Sequence, residues 1–369
     1  GSDMSLYRME LYKILRRPIV RISGVIFAAL LLFFFYAMGD SERSSLSNSE
    51  PVFGYPAIQQ DRELAKKFEG PLTDEKIQQI VDLYGFPSKR QKGYNGWWDQ
   101  NFVTGFVTEF FSDGYISNRD YKAAENIIPI KEADIYKFIE GEPLYFGYYR
   151  GWEKYIIFME FAGEILIIWL TIALSPLFSQ EIDTGMYSLI FTTKNGSTKD
   201  IHARILVAFT VVFVSFLIVA GLSFWGCWQI YGLGGAKTLY GFLSGYWIRP
   251  YTKYTILKFT VVYIMMNMTA LFMTCGFCVF VSAKAKSNFN ALLVTGGFLT
   301  APIVLFWFFR SSVVALCASQ PVFLMLSRLL TDVSYKVIYW EYLCINRVLV
   351  VVCIFAGVRR WRTGLQTKV

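Results

Sequence analysis

Two carboxylates inside an apolar stretch are the first residues whose type and spacing suggest chemistry. Glu160 and Glu164 lie four positions apart, which on a helix places both side chains on one face, about 6 Å apart. An ionisable group inside a membrane is costly, so it usually faces protein or a water-filled cavity. The pair is therefore predicted to line a substrate path or to bind a cationic substrate, with Arg347 as a further candidate on this path. The alternative is a structural pair that reaches interfacial water or pairs with Arg310 or Arg347.

Residues that could support an enzyme or a metal site are scarce. The single histidine, His202, provides neither a metal-binding pair nor a catalytic triad. Cys275 and Cys278 have the spacing of a metal or redox pair, but they lie in an apolar stretch and are expected to be packing residues. Residues 232–238 resemble a phosphate-binding loop, yet Ala236 stands where a glycine is required. We therefore expect no catalytic residue, metal ligand or cofactor in this chain, which disfavours an intramembrane enzyme such as a lipid-linked transferase.

A polar segment between two long apolar stretches is the most informative feature of the chain. This segment, residues 176–196, is called the polar island below. Glu181 and Asp183 stand where a helix would begin, because carboxylates are favoured at helix starts, and Met186 and Leu189 share one side. A charged amphipathic segment of this kind cannot lie in hydrocarbon. We therefore expect a short helix that lies parallel to the membrane at its surface.

The chain as a whole has the composition of a multi-span membrane protein. Apolar residues make up 54% of it, aromatic residues 18%, and the mean hydropathy is +0.38, values that soluble domains rarely reach. A bilayer core of roughly 30 Å needs about 20 apolar residues per helix. Six membrane-spanning helices are predicted, at residues 19–38, 155–178, 205–230, 256–281, 291–309 and 343–358. The predicted fold class is an all-α integral membrane protein.

Two further segments are expected at the membrane surface. Residues 5–17 carry one apolar and one basic side, which predicts an amphipathic helix on the inner leaflet. Pro18 then begins the first spanning segment, 18–39, because proline is tolerated in a first helical turn. Residues 312–330 are apolar but contain Gln320, Pro321 and Arg328, so they are predicted to form a re-entrant or interfacial hairpin before the last span.

Basic residues determine the expected orientation in the membrane. If the amino terminus lies inside, the inner segments carry 14 basic and 5 acidic groups, whereas residues 40–154 carry 14 basic and 19 acidic groups. The formal net charge of +8 is then explained by membrane topology, and nucleic acid is not an expected partner. Both termini are expected in the cytoplasm.

Residues 40–154, called the insert below, are expected to lie outside the cytoplasm and to form a mostly helical domain. Helix patterns occur at 74–84 after a Thr73 cap, within 97–111, at 118–126 after a Ser117 cap, and at 132–140. All six cysteines lie outside the insert, which excludes a disulfide-stapled domain there. The aromatic residues of the insert are expected either to build a small core or to bind a peptide or lipid.

The order of these features resembles the permease subunits of ABC exporters of the antibiotic and polysaccharide type. In that family an amphipathic amino-terminal helix precedes six spans, and the loop between the second and third spans carries Glu, Gly, Leu and Thr residues. The matching positions here are Glu181, Gly185, Leu189, Thr192, Thr193 and Gly196. The resemblance covers residues 5–40 and 155–369. The insert departs from the many members with a short first loop and resembles that of larger permeases of Gram-positive bacteria implicated in antimicrobial-peptide export.

This resemblance implies a function in transport. Residues 179–204 would contain the coupling loop that docks on a separate ATP-binding cassette ATPase through Glu181, Asp183, Gly185, Leu189 and Thr192. The ATPase would carry ATP and Mg²⁺, and a second permease chain, identical or homologous, would complete the exporter among the lipids of the bacterial plasma membrane. The cargo would be an amphipathic antimicrobial peptide, drug or lipid-like molecule. The alternative is a non-transporting membrane receptor or scaffold whose extracytoplasmic domain senses a ligand.

Overall fold

The computed structural model describes residues 2–46, 49–89, 98–116, 121–192, 198–244, 251–309, 317, 320–327 and 336–366. The chain is about 75% helical with little β-structure. The α-helices are α1 Ser2–Arg16, α2 Pro18–Asp40, α3 Tyr55–Lys67, α4 Asp74–Tyr84, α5 Phe102–Phe111, α6 Tyr136–Ile139, α7 Arg150–Leu174, α8 Ser179–Asp183, α9 Tyr187–Thr192, α10 Lys199–Tyr231, α11 Gly241–Ser244, α12 Ile256–Lys284, α13 Asn288–Phe308, α14 Pro321–Leu324 and α15 Lys336–Gln366.

Five of the described helices are long and apolar enough to cross a membrane: α2, α7, α10, α12 and α13. They coincide with the first five predicted spans, which fits an all-α membrane protein. The sixth predicted span falls within α15, a helix of 31 residues that is not among these five. The number of six spans therefore stays a prediction.

Helix α1 confirms the helix predicted at residues 5–17, although it begins earlier. Its inner face buries Glu10 and Ile14 against the other helices, whereas Met9, Tyr12 and Leu15 are exposed. Arg17 then adopts an extended conformation, and Pro18 opens α2 at the position where its missing N–H costs nothing. The exposed apolar side chains of α1 are what a helix at a membrane surface would present to lipid.

The insert is less helical than predicted. Its described strands form four antiparallel pairs of two-residue strands: β1 Arg43–Ser44 with β2 Val52–Phe53, β3 Gly70–Pro71 with β8 Tyr145–Phe146, β4 Ser88–Lys89 with β5 Trp98–Asp99, and β6 Tyr115–Ile116 with β7 Tyr121–Lys122. The capped helix at 74–84 is confirmed, because the Thr73 hydroxyl accepts a hydrogen bond from the Lys76 amide and Gly85 follows the last turn. Of the helix predicted at residues 132–140, the structure has only the four-residue helix α6. This helix follows a short 3-10 turn at Ile130–Glu132.

The helix predicted at residues 118–126 is wrong for the described part, residues 121–126. Strand β7 occupies its first residues, and the carboxylate of Asp113 then accepts hydrogen bonds from the amides of Glu125 and Asn126, at 2.8 and 2.9 Å. These amides are held by a side chain twelve and thirteen positions away, so they are not available to a local helix. Residues 117–120 lie outside the described part of the chain.

The insert is joined to the helices by the segment that follows α10. In this segment the Tyr240 ring stacks on Phe259 of α12 with centroids 3.6 Å apart, and Lys253 donates to the carbonyl of Glu140 at 2.9 Å. Gly235 has φ +73°, and a Cβ there would stand 2.8 Å from the amide nitrogen of Tyr149. The glycines of residues 232–238 therefore allow close backbone packing. This packing gives a structural explanation for the glycines that make the segment resemble a phosphate-binding loop.

One hydrophobic core runs through the insert and the long helices. It includes Ile14 of α1, the phenylalanines of α5, Leu170 of α7 and Trp361 of α15. The aromatic residues Phe102, Phe106, Phe110 and Phe111 are buried in this core, so they build the fold of the insert. Helices α2 and α13 instead expose most of their apolar surface, which suits contact with lipid or with another apolar chain.

Most of the predicted hairpin at residues 312–330 lies outside the described residues, including Arg328. Within it, α14 and the residues that follow pack against α7 and α12. The Tyr263 hydroxyl donates to the Met325 carbonyl at 2.6 Å, and Met325 fills the space where a side chain at Gly163 would have to lie.

Candidate functional site

The polar island forms two short helices joined by a tight turn, in place of the single helix that was expected. Helix α8 ends at Asp183, and α9 begins at Tyr187. Gly185 lies between them with φ +70°, a conformation that other residues adopt only with strain. Apart from its two chain neighbours, no atom of the described residues lies within 4 Å of the position of a Cβ there. The glycine is therefore required by the backbone turn and not by crowding.

The outer half of the polar island, residues 183–192, is called the tip below. Asp183, Gly185, Leu189 and Thr192 are all exposed on it, as is Met186. Four of the five predicted docking residues thus share one accessible surface with a mixed charged and apolar character. Residues 193–197, which include Thr193 and Gly196, lie outside the described part of the chain.

The fifth predicted docking residue, Glu181, has a different environment. Its side chain is buried, and its Oε1 accepts from Lys13 Nζ and from Arg204 Nη2, each at 3.0 Å. A buried carboxylate with two cationic partners cannot also touch a separate protein. The contribution of Glu181 is to hold the inner end of the polar island on the rest of the chain.

Arg204, near the start of α10, is the centre of this buried cluster. Its Nε donates to Asp200 at 2.8 Å, its Nη1 donates to the Leu177 carbonyl at 2.7 Å, and its Nη2 is shared between Glu181 and the more distant Glu10. Glu10, Lys13, Glu181, Asp200 and Arg204 are together called the root cluster below. The planar guanidinium suits this role, because its donors point in fixed directions to several acceptors at once.

Charges in and beside the root cluster balance. Three carboxylates face Lys13 and Arg204, and Arg17 lies close enough for Glu10 to act on it electrostatically. Burial lowers the pKa of Arg17 to about 10, with Glu10 opposing the shift, and Arg17 donates to the Ala173 carbonyl at 2.6 Å. For Lys13, burial lowers the pKa, but the hydrogen bonds and charges of Glu10 and Glu181 outweigh burial and raise it. Lys13 and Arg17 are therefore both charged near neutral pH.

The inner end of the polar island is also tied to the helices that follow in the chain. The amides of Phe178 and Ser179 both donate to the Ser282 hydroxyl at the end of α12, at 2.7 and 3.0 Å. The Ser179 hydroxyl donates to Asn288 at the start of α13 at 2.9 Å, and the Phe178 ring packs against Trp361 of α15 with centroids 5.1 Å apart. A displacement of the tip would thus reach α1, α10, α12, α13 and α15 through direct contacts.

Of the predicted substrate-path residues, Glu160 and Glu164 are neighbours on α7, and Arg347 has a different partner. Glu160 Oε1 accepts from the amide of Ser327 at 2.7 Å and from its hydroxyl, and Glu164 lies one turn further along α7. Arg347 instead donates to Thr269 of α12 at 3.4 Å. Among the described residues neither glutamate forms an ion pair, and Arg310 lies outside them. The partner of Glu160, Ser327, comes from the predicted hairpin.

Several residues of the site were not singled out from the sequence. Asp200 and Arg204 are four positions apart, and Glu10 and Lys13 are three apart, spacings that place opposite charges together on a helix. The sequence indicates each pair, but it does not indicate that two pairs from distant helices meet at Glu181.

Other chemistry has little support in the part of the chain that the structure describes. No group of three or more His, Cys, Asp or Glu side chains there could hold a metal ion. Cys275 and Cys278 are free and fully buried on α12, as expected of packing residues, and His202 is exposed.

The geometry is therefore that of an exposed tip whose inner end is held on α1 and α10 by the root cluster. Comparison of the chain with protein-family models, with curated proteins and with solved structures gave no match.

Proposed function

We propose that this chain is the membrane-spanning permease subunit of an ATP-driven exporter. A separate ATP-binding cassette ATPase binds ATP and Mg²⁺ and docks on the tip, and a second permease chain, identical or homologous, completes the transporter. The termini lie in the cytoplasm and the spans in a bacterial plasma membrane. An amphipathic substrate, such as an antimicrobial peptide, a drug or a lipid-like molecule, moves outward past Glu160, Glu164 and Arg347.

One observation carries this proposal: the exposed tip lies between α7 and α10, two helices long and apolar enough to span a membrane, and its inner end is fixed to α1 and α10 by the root cluster. An exposed segment with apolar side chains at Met186 and Leu189 is suited to contact another protein. Removing one partner of a buried ion network costs about 3–5 kcal/mol. The inner end of the polar island therefore moves together with α1 and α10 instead of separating from them.

The proposed mechanism follows from these contacts. Closure of the ATPases on ATP pushes on the tip, and α8 carries the displacement to Glu181 and Ser179. From there it passes to α1 and α10 through the root cluster and to α12 and α13 through Ser282 and Asn288. Packed helices move as rigid bodies between discrete arrangements, so a small displacement of the tip is converted into a rearrangement of the spans.

The test is a substitution in the tip that leaves the root cluster intact. Leu189→Asp places a charge on an apolar contact residue that is 58% exposed, so folding is preserved while docking is weakened. Leu83→Asp in the insert is the matched control, because Leu83 is 61% exposed and lies far from the tip. Each variant is purified from native membranes, and the co-eluting chains are identified and assayed for ATPase activity.

We expect an ATPase to co-purify with the wild type and with the Leu83→Asp variant, in which Leu189 is intact. We expect the ATPase to be lost from the Leu189→Asp variant. Equal recovery of the ATPase in both variants would remove the docking role of the tip. Glu181 is unsuitable for this experiment, because its reversal would break the buried ion pairs and affect folding.

A membrane receptor is the second candidate function, favoured by a charged cavity in the insert that is described below. This candidate predicts that no ATPase co-purifies with the wild type. Recovery of the wild-type chain without any ATPase would therefore reject the exporter and favour the receptor.

A further inference from the structure

A cavity of about 230 Å³ lies where the insert meets the start of α7. Its lining includes the rings of Phe102, Phe106 and Phe242. It also includes the charged side chains of Arg43, Asp61, Glu109, Arg150 and Glu153, and the Arg150 guanidinium lies over the Phe102 ring, 5.7 Å from its centroid. This cavity, called the charged pocket below, brings together residues from α3, α5, α7 and α11, so it exists only when the insert and the long helices are assembled.

The volume limits what the charged pocket can hold. Pockets that enclose whole drug-sized ligands are about 300–1,000 Å³, and a water molecule takes about 30 Å³ of liquid volume. A volume of about 230 Å³ is therefore below the range for a whole ligand, and it suits one side chain of a larger molecule.

The charges of the pocket favour a cation. Arg150 is paired with Glu153 in a hydrogen-bonded contact, and Asp99 acts on Arg43 from nearby. Glu109 lines the pocket, and its carboxylate has no ion pair or hydrogen bond within the described residues, although Arg150 and Glu153 act on it electrostatically. Asp61 contributes a second carboxylate, whose Oδ1 accepts from the Ser44 hydroxyl at 2.6 Å and from the Phe102 amide at 3.2 Å. The charged side chains of the lining are thus three carboxylates and two guanidinium groups, and Glu109 is the carboxylate without a direct contact in the described residues.

One donor in the pocket also lacks an acceptor. The Nε–H of Arg150 is buried and has no hydrogen-bond partner in the part of the chain that is described. A buried polar group without a partner is costly, so an oxygen from a ligand is favoured there. The requirements of the site are thus a cation beside Glu109, an apolar chain along the phenylalanine rings and a carbonyl oxygen near Arg150.

We propose that the charged pocket binds a lysine side chain of a peptide, with its ammonium group on Glu109, its methylene groups along Phe102 and Phe106, and a peptide carbonyl on Arg150 Nε. A lysine residue satisfies all three requirements at once. The inference rests only on the pocket, so it holds for a transporter and for a receptor.

The test measures binding of two capped tripeptides to the purified full-length chain by calorimetry. The first probe is Ala-Lys-Ala, and the second is Ala-norleucine-Ala, which keeps the apolar chain and removes the charge. We expect the lysine peptide to bind at least about tenfold more tightly to the wild type, equivalent to a difference of about 1.4 kcal/mol. Equal binding of the two peptides, or no binding of either at millimolar concentration, would overturn the proposal.

Variants locate the binding. Glu109→Gln removes the charge without breaking any described contact, so the protein should fold normally while its affinity for the lysine peptide falls at least about tenfold. Glu75→Gln is the control, because Glu75 is exposed on α4, away from the pocket. Unchanged affinity in Glu109→Gln would overturn the proposal even if the lysine peptide binds, since binding would then occur elsewhere. Neither result depends on an ATPase, so failure here is distinguishable from failure of the transport proposal.

Discussion

Arg204 shows how one side chain can hold several helices together. Its guanidinium is 1% exposed and is satisfied by the Asp200 carboxylate of α10 and by the Glu181 carboxylate and Leu177 carbonyl of the polar island. Taking such a charge out of water is expensive, and only a complete set of partners compensates for that cost. The partners therefore hold the Arg204 side chain firmly in place, and loss of one partner would strongly destabilise the folded protein.

Replacing Arg204 with Met should destabilise the protein by about 3–5 kcal/mol, because the substitution removes the cation of the buried Asp200 and leaves Glu181 with Lys13 alone. Thermal unfolding in detergent would measure the effect, with Arg360→Met on the exposed side of α15 as a control that should change little. Adding Glu181→Gln to the Arg204→Met variant should recover part of the loss, since one uncompensated charge is removed. A double variant that is destabilised by the full sum of the two single effects would contradict the pairing.

Asp61 is a second residue whose burial has a measurable consequence. Burial raises the pKa of its carboxyl from 3.8 to about 6, against the opposing hydrogen bonds from Ser44 and the Phe102 amide. Arg150 and Glu42 are the other charged groups that act on it. The folded state thus keeps a proton that the unfolded state has already lost, and folding takes up a proton between about pH 4 and pH 6.

The stability of the insert should therefore fall as the pH rises through this window. From pH 5 to pH 7.5 the loss attributable to Asp61 is about 1.4 kcal/mol. Hydrogen exchange of α3 and α5, corrected for the intrinsic pH dependence of exchange, would measure this loss. Asp61→Asn should remove this part of the pH dependence, whereas Asp134→Asn, at an exposed ion pair with Lys137, should not. A pH dependence that is unchanged in Asp61→Asn would show that another group is responsible.

At the scale of single residues the sequence predicted which side chains are unusual but not which ones meet. Glu181 was expected to face a partner protein because it lies in a polar segment, whereas it is buried against Lys13 and Arg204. The distance between residues 13 and 181 along the chain explains this error, since periodicity carries no information on contacts between distant helices. Glu160 and Glu164 were predicted to be intramembrane carboxylates, but the contact of Glu160 with Ser327 was not predicted.

At the scale of elements, long apolar helices were predictable and short polar elements were not. The five helices that are long and apolar enough to span a membrane follow from runs of apolar residues, because the thickness of a bilayer sets a common minimum length. Helix α3 was missed, since the buried Asp61 interrupts its apolar stripe and Pro56 in its first turn resembles a loop residue. The helix predicted at 118–126 failed because a side chain outside it, that of Asp113, binds two of its amides.

At the scale of the whole molecule, the insert and the long helices form one folded unit. Lys154 at the start of α7 forms an ion pair with Glu42, and Arg62 donates to the Ile230 carbonyl at the end of α10 at 3.2 Å. The segment after α10 adds Phe242, whose ring lies 5.0 Å from Phe106 and 5.1 Å from Phe110 between centroids. The predicted boundaries of the insert, residues 40 and 154, therefore divide the chain into segments that share one hydrophobic core.

Phe242→Ala should consequently destabilise the insert, although Phe242 lies almost ninety positions beyond its last residue. Its side chain is 3% exposed, and truncation of a buried phenylalanine costs about 3–5 kcal/mol through lost burial and the cavity left behind. The measurement is hydrogen exchange of α5 in the full-length protein, which should become faster. Phe53→Ala is the matched control, because Phe53 is 56% exposed and its loss should have a small effect.

If α5 exchanged at the wild-type rate in Phe242→Ala, the insert would be a self-sufficient domain, and a ligand bound in it would have no direct mechanical link to the long helices through this contact. Faster exchange would mean that α5, the charged pocket and the start of α7 share one packing unit, so that occupation of the pocket and movement of the helices are coupled.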